Sequence, residues 1–160
     1  MDTNTKPRCA VLGYGSWATA IVKTLTVNHH HVDWLVLNDE IRESLKMRSR
    51  NPKYLPWCYI DQEFMTPSND INAVVRDADI VILAMPSAFF KKFLEPLTES
   101  LADKIVVSAV KGIIPYGFIL PRGTVFLSEH GYGDSGMYFP LLRPGALSRC
   151  NAVPGESEGS

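Results

Sequence analysis

Arg8-Cys-Ala-Val-Leu12, followed at once by Gly13-Tyr-Gly-Ser-Trp-Ala18, decides the fold of this 160-residue chain. The first five residues are a short apolar run of the kind that forms a strand buried on both faces. The next six fit G-x-G-x-x-[G/A]. From Ser16 to Val27, apolar residues at Trp17, Ala20, Ile21 and Leu25 fall at a helical spacing. Strand, glycine turn and helix in that order form the context in which the motif holds a dinucleotide. Gly13 permits the tight turn, and Gly15, lacking a side chain, lets a pyrophosphate approach the backbone. Ala18 is small enough for the helix to pack on the strand. The N–H groups opening the helix then face the anion, which the helix dipole also favours. The same residues could form a tight turn with nothing bound. Their place at the head of a βαβ pattern favours the nucleotide.

The alternation continues outward from this turn. Val32 to Leu37 reads as a second strand, and Asp39 to Arg50 as a helix that Asn38 or Asp39 can cap. A weak strand is expected around Glu63 to Thr66, then a short helix capped by Asp70 and running through Val75. Asp79-Ile-Val-Ile-Leu-Ala-Met85 is the strongest strand. Ser87 to Leu101 reads as a helix that Pro96 kinks or divides. Lys104 to Ala109 is another buried strand. Strands separated by helices of this length predict an α/β fold, a Rossmann-type doubly wound parallel sheet with right-handed crossovers.

The end of the second strand bears on cofactor choice. An acidic residue there binds ribose hydroxyls and favours NAD, and an arginine accommodates a 2′-phosphate. Here the stretch is Leu37-Asn38-Asp39. Asn38 can hydrogen-bond ribose without selecting a cofactor. Asp39 could select one, or could cap the helix that follows. NAD and NADP both stay open, with a lean to NAD because no arginine stands at the strand end.

Ligands of open α/β sheets lie at the carboxyl ends of the strands. Ala84-Met-Pro-Ser87 leaves the fourth strand, and Phe89 and Phe90 just beyond it could line a nicotinamide or adenine face, or simply pack helix on sheet. Lys111 follows the fifth strand in Ser108-Ala-Val-Lys-Gly112. A lysine there points its ammonium into the crevice, toward a phosphate or a reacting oxygen, unless it is an ordinary solvated one. His29-His30-His31 is discounted as a metal cluster. Consecutive residues point in different directions, and no second ligand motif with zinc-like spacing accompanies them. A polar turn between the first helix and second strand is the better reading. Arg50-Asn-Pro-Lys-Tyr-Leu-Pro56 mixes basic and aromatic residues, but one such stretch does not make a nucleic-acid site.

Composition narrows the class. The formal net charge of −1 supplies no basic field for nucleic acid. No apolar run reaches the roughly 18 residues of a membrane helix, and residues 1–8 lack the apolar core of a signal peptide. Cys9, Cys58 and Cys150 are odd in number and unrelated in spacing, which suits cytosolic thiols and no metal. Only Gly13, Gly15 and Gly112 fall in the first 116 residues, whereas eight glycines fall in the last 44. The periodic apolar patterns fade over the same stretch, placing an expected domain boundary near residues 112–117.

Four blocks, in order and in spacing, resemble the cofactor domain of NAD(P)-dependent glycerol-3-phosphate dehydrogenases. They are Gly13-Tyr-Gly-Ser-Trp-Ala-Thr-Ala20, Asn51-Pro-Lys-Tyr-Leu-Pro56, Asp79-Ile-Val-Ile-Leu-Ala-Met-Pro-Ser87 and Val107-Ser-Ala-Val-Lys-Gly-Ile113. The resemblance covers roughly residues 7 to 115. It implies hydride transfer between NAD(P)H and dihydroxyacetone phosphate, giving glycerol 3-phosphate in the cytoplasm. It implies that Ser16 and Trp17 contact the cofactor, that Tyr54 and Phe89 flank it, and that Lys111 contacts both cofactor and substrate. A basic residue frequent in bacterial members at the end of strand two is here Leu37. After Ile113 the resemblance ends. Residues 116–160 read as an irregular tail unlike the family, so the helical substrate domain is expected to be absent and the chain to be a truncated part. Such a chain is expected to be nearly inactive alone and prone to self-association, with no nucleic-acid or membrane partner. Another Rossmann hydroxyacid dehydrogenase is a weaker alternative, and a nucleotide-binding module without turnover a serious one.

Overall fold

A computed structural model describes residues 6–110 and one further two-residue strand; these residues all fall within one compact unit, Met1–Glu129. The element order is β1 (Cys9–Leu12), α1 (Ser16–Val27), β2 (Val32–Leu35), α2 (Asp39–Arg48), β3 (Met65–Ser68), α3 (Ile71–Arg76), β4 (Ile80–Leu83), α4 (Phe90–Leu94), β5 (Ile105–Ser108) and β6 (Val125–Phe126). The strands form one sheet in the order β3-β2-β1-β4-β5-β6. Every pairing is parallel, with Cys9 opposite Val32 and Ile80, and Ile80 opposite Ile105. The order reverses at β1, so the crevice opens between the carboxyl ends of β1 and β4, where open α/β sheets bind ligands. Val125–Phe126, beyond the expected boundary at 112–117, extends the sheet beside β5.

Strand alternation sorts the core into two layers. Ala10 and Leu12 of β1 join Val81 and Leu83 of β4 on one face, under Val74 and Val75 of α3 and Phe90 and Phe93 of α4. Cys9 and Val11 join Val32, Trp34 and Ile82 on the other, under Val22 of α1 and Ile41 and Leu45 of α2. Burying both faces explains why these strands are unbroken apolar runs.

Some expectations need correction. α1 buries Ala18, Thr19, Val22 and Thr26, with Ile21 and Leu25 half-buried against the same layer, whereas Trp17 is 55% exposed. Only a small residue fits where the helix crosses β1, so Ala18 sets the rotation and Trp17 turns outward. The weak strand lies at Met65–Ser68, because Gln62–Phe64 forms a 3-10 turn in which Asp61 accepts from the Glu63 N–H at 3.0 Å. Pro67 is tolerated in β3 because that strand is an edge. The long helix after Ser87 is instead a 3-10 turn, Ser87–Phe89, and the five-residue α4. Pro96 cannot continue a helix, and the chain beyond it is held by Asn72. Asn72 donates to the Pro96 carbonyl (3.0 Å) and accepts from the N–H groups of Thr98 (2.8 Å) and Glu99 (3.1 Å).

Candidate functional site

The glycine loop is built from three constraints. Gly13 has φ +122°, a backbone that side chains rarely adopt, and a β-carbon there would lie 2.4 Å from the Ala84 carbonyl oxygen. The turn out of β1 therefore packs directly on the backbone leaving β4. The Trp34 indole, fully buried on β2, donates to the Gly13 carbonyl at 2.6 Å and fixes it from below. The Tyr14 ring packs beside Phe93, with centroids 5.9 Å apart.

Gly15 differs in kind from Gly13. Its φ of −77° suits any residue, and a β-carbon on it would meet no atom of the described residues within 4 Å. Neither conformation nor packing within the described residues demands glycine there. The space that a side chain would occupy lies at the N-terminus of α1. That helix carries no side-chain cap and no acidic residue in its first turn. By contrast, Asn38 caps α2, which has Asp39 and Glu40 in its first turn, and Asp70 caps α3 through the N–H groups of Asn72 and Ala73. The twelve residues of α1 thus direct a positive dipole end and uncapped N–H groups past Gly15, an arrangement suited to an anion.

The remaining expected residues lie on several elements. Ser16 and Trp17 are exposed on the first turn of α1, and Phe89 is 51% exposed just past β4. Phe90 is fully buried in the core, so of its two readings the packing of helix on sheet holds. Asn38 is the cap of α2, its Oδ1 accepting from the Ile41 N–H at 3.0 Å. Asp39 is not the cap; it pairs with Arg42, whose guanidinium also donates to the Val36 carbonyl at 3.0 Å. Lys111 lies outside the described residues.

Sequence reading missed two residues of the site. Trp34 offers no signal beyond strand hydrophobicity. Asn51 is wholly buried and ties residues 51–56 to the glycine loop. It donates to the Tyr14 carbonyl and the Thr19 hydroxyl, each at 3.0 Å, and accepts from the N–H groups of Lys53 (3.2 Å) and Tyr54 (3.1 Å).

The charged groups at the opposite, amino edge of the sheet are structural. Arg8 pairs with Asp33 at 2.9 Å, and its N–H donates to Asp79 at 2.8 Å. The three histidines diverge as a turn requires: His29 (φ +58°) packs on Phe64, and His31 lies 3.0 Å from the Thr66 hydroxyl. Cys9 is buried at the start of β1, and burial, with a smaller contribution from the Asp79 carboxylate, raises its thiol pKa. No helix among the described residues is long and apolar enough to cross a membrane.

Parallel sheet, reversed strand order and glycine loop together define a Rossmann-type α/β domain. Residues 8–127 match the family model described as NAD-dependent glycerol-3-phosphate dehydrogenase N-terminus, and the chain belongs to that family. It is 34% identical over 116 residues to a glycerol-3-phosphate dehydrogenase [NAD(P)+] of Pseudomonas syringae, covering 72% of this chain and 34% of the relative. It is 31% identical over 150 residues to one of Alcanivorax borkumensis, covering 93% of this chain and 40% of the relative. The solved glycerol-3-phosphate dehydrogenase of Saccharomyces cerevisiae superposes with a TM-score of 0.60 at 25% identity, over 67% of this chain and 34% of that one. The chain thus spans between a third and two-fifths of the length of these relatives.

Proposed function

We propose that the domain, taken as residues 7–115, binds NAD(H) or NADP(H) across the carboxyl edge of its sheet. The observation that carries this reading is the space that the described residues leave around Gly15, in front of an uncapped helix N-terminus. The pyrophosphate would meet the N–H groups at the start of α1, with Ser16 and Trp17 beside it. Asn38 commits its Oδ1 to α2 and would offer its Nδ2 to a ribose. Tyr54 and Phe89 would flank the nucleotide from the two sides of the crevice. Bound in its reduced form, the cofactor supplies the hydride.

The activity of the whole protein is proposed from the family: hydride transfer between NAD(P)H and dihydroxyacetone phosphate, giving glycerol 3-phosphate. In this reading Lys111 contacts cofactor and substrate and stabilises negative charge on the reacting oxygen or the phosphate. The binding half is tested by titrating the chain with NADH and following nicotinamide fluorescence; saturable binding is expected, and none would overturn it. The activity is tested by dihydroxyacetone-phosphate-dependent loss of reduced-cofactor absorbance, abolished by Lys111→Ala. Binding without turnover would leave a nucleotide-binding module.

A further inference from the structure

We propose that Asn51 is a positioning residue of this site: it locks the loop carrying Tyr54 to the glycine loop, so that both engage the nucleotide as one body. The inference rests on the cofactor reading above. A buried primary amide must satisfy two N–H donors and a carbonyl acceptor, and Asn51 does so across three separate pieces of chain. Its Nδ2 reaches Tyr14 in the glycine loop and Thr19 in α1, and its Oδ1 gathers the N–H groups of Lys53 and Tyr54. Thr19 in turn donates its hydroxyl to the Gly15 carbonyl at 2.8 Å. A continuous hydrogen-bonded path therefore runs from Gly15, through Thr19 and Asn51, to the backbone of Tyr54.

The loop is held in a conformation it would not choose alone. Leu55 has φ +55°, unfavourable for a side chain with a β-carbon, and its carbonyl accepts from the Cys58 N–H at 2.9 Å. Such a backbone persists only where its surroundings over-determine it. Filling the space between α1 and this loop needs only apolar bulk. An amide with its four partners also sets the distance and orientation of the Tyr54 backbone relative to Gly15.

The test is a double-mutant cycle on NADH affinity, with circular dichroism and thermal unfolding as controls for folding. The parent is titrated first: if it does not bind NADH, the cofactor reading falls and this proposal with it. If the parent binds, Asn51→Ala and Tyr54→Ala should each weaken NADH by about tenfold, and the double variant should be little weaker than either single one. A folded Asn51→Ala that binds NADH like the parent, or losses that simply multiply, would overturn the coupling and leave the cofactor reading standing. If Asn51→Ala does not fold, hydrogen exchange on the parent decides. NADH should slow exchange at the Lys53 and Tyr54 amides together with those opening α1. Slowing at α1 alone would overturn the proposal.

Discussion

Gly13 and Ala84 touch backbone to backbone: a β-carbon on Gly13 would stand 2.4 Å from the Ala84 carbonyl oxygen and 2.7 Å from its carbon. The end of β4 is held by the sheet, with the Ala84 N–H bonded to the Leu12 carbonyl at 2.8 Å, so it cannot yield cheaply. Gly13→Ala therefore faces both the clash and a φ of +122°. It should cost at least about 2 kcal/mol of folding stability. Urea unfolding of the purified variant measures this, and a loss under about 0.5 kcal/mol, the usual scatter of surface substitutions, would contradict it.

Trp34 supports the same loop from inside the core. Trp34→Phe keeps most of the bulk but leaves the Gly13 carbonyl without its indole donor. The expected cost is about 1–3 kcal/mol, the penalty of an unsatisfied buried acceptor. Chemical denaturation of the two proteins side by side checks it.

The cofactor preference follows from Arg42. Its guanidinium stands at the end of β2, but it is bonded to the Val36 carbonyl and paired with Asp39. NADH should bind at least as well as NADPH, and Asp39→Ala, by releasing the guanidinium, should shift the ratio toward NADPH. Paired titrations read both effects. A tenfold preference of the parent for NADPH, about 1.4 kcal/mol, would show that the pairing does not hold Arg42 away from a 2′-phosphate.

Cys9 gives a pH dependence of known direction. Its thiol is raised above the ordinary value of 9.0, first by burial and then by Asp79, so the folded state holds the proton more tightly than the unfolded one. The stability it contributes is complete below pH 9 and is lost as the pH climbs through the raised value. In a Cys58→Ser, Cys150→Ser background, Cys9 should resist a thiol reagent at pH 8 until denaturant is added. Rapid labelling of the folded protein would contradict its burial.

The strands and the first glycine turn were legible because their signals are local. A strand buried on both faces must be an apolar run, as at Ile80–Leu83, and α1 keeps its expected bounds, Ser16–Val27. The rotation of α1 was legible from the glycine motif but not from apolar spacing. The apolar spacing alone would count Trp17 into the buried stripe, whereas the glycine motif already marks Ala18 as the small packing residue, and Ala18 is buried while Trp17 is exposed. The early end of the helix after Ser87 was not legible, because nothing near Pro96 in sequence reveals that Asn72, on α3, holds the chain beyond it. Asn51 carries no local signal of its role. Its four bonds join residues up to 37 positions apart, and no local pattern encodes them.

Gly15→Val tests the central claim most directly. The position has an ordinary φ and open space around it among the described residues, so the variant should fold with a stability within about 1 kcal/mol of the parent. The valine would fill the volume assigned to the pyrophosphate. Calorimetric titration with NADH should show saturable binding by the parent and none by the variant. A folded Gly15→Val that binds NADH as tightly as the parent would contradict the account.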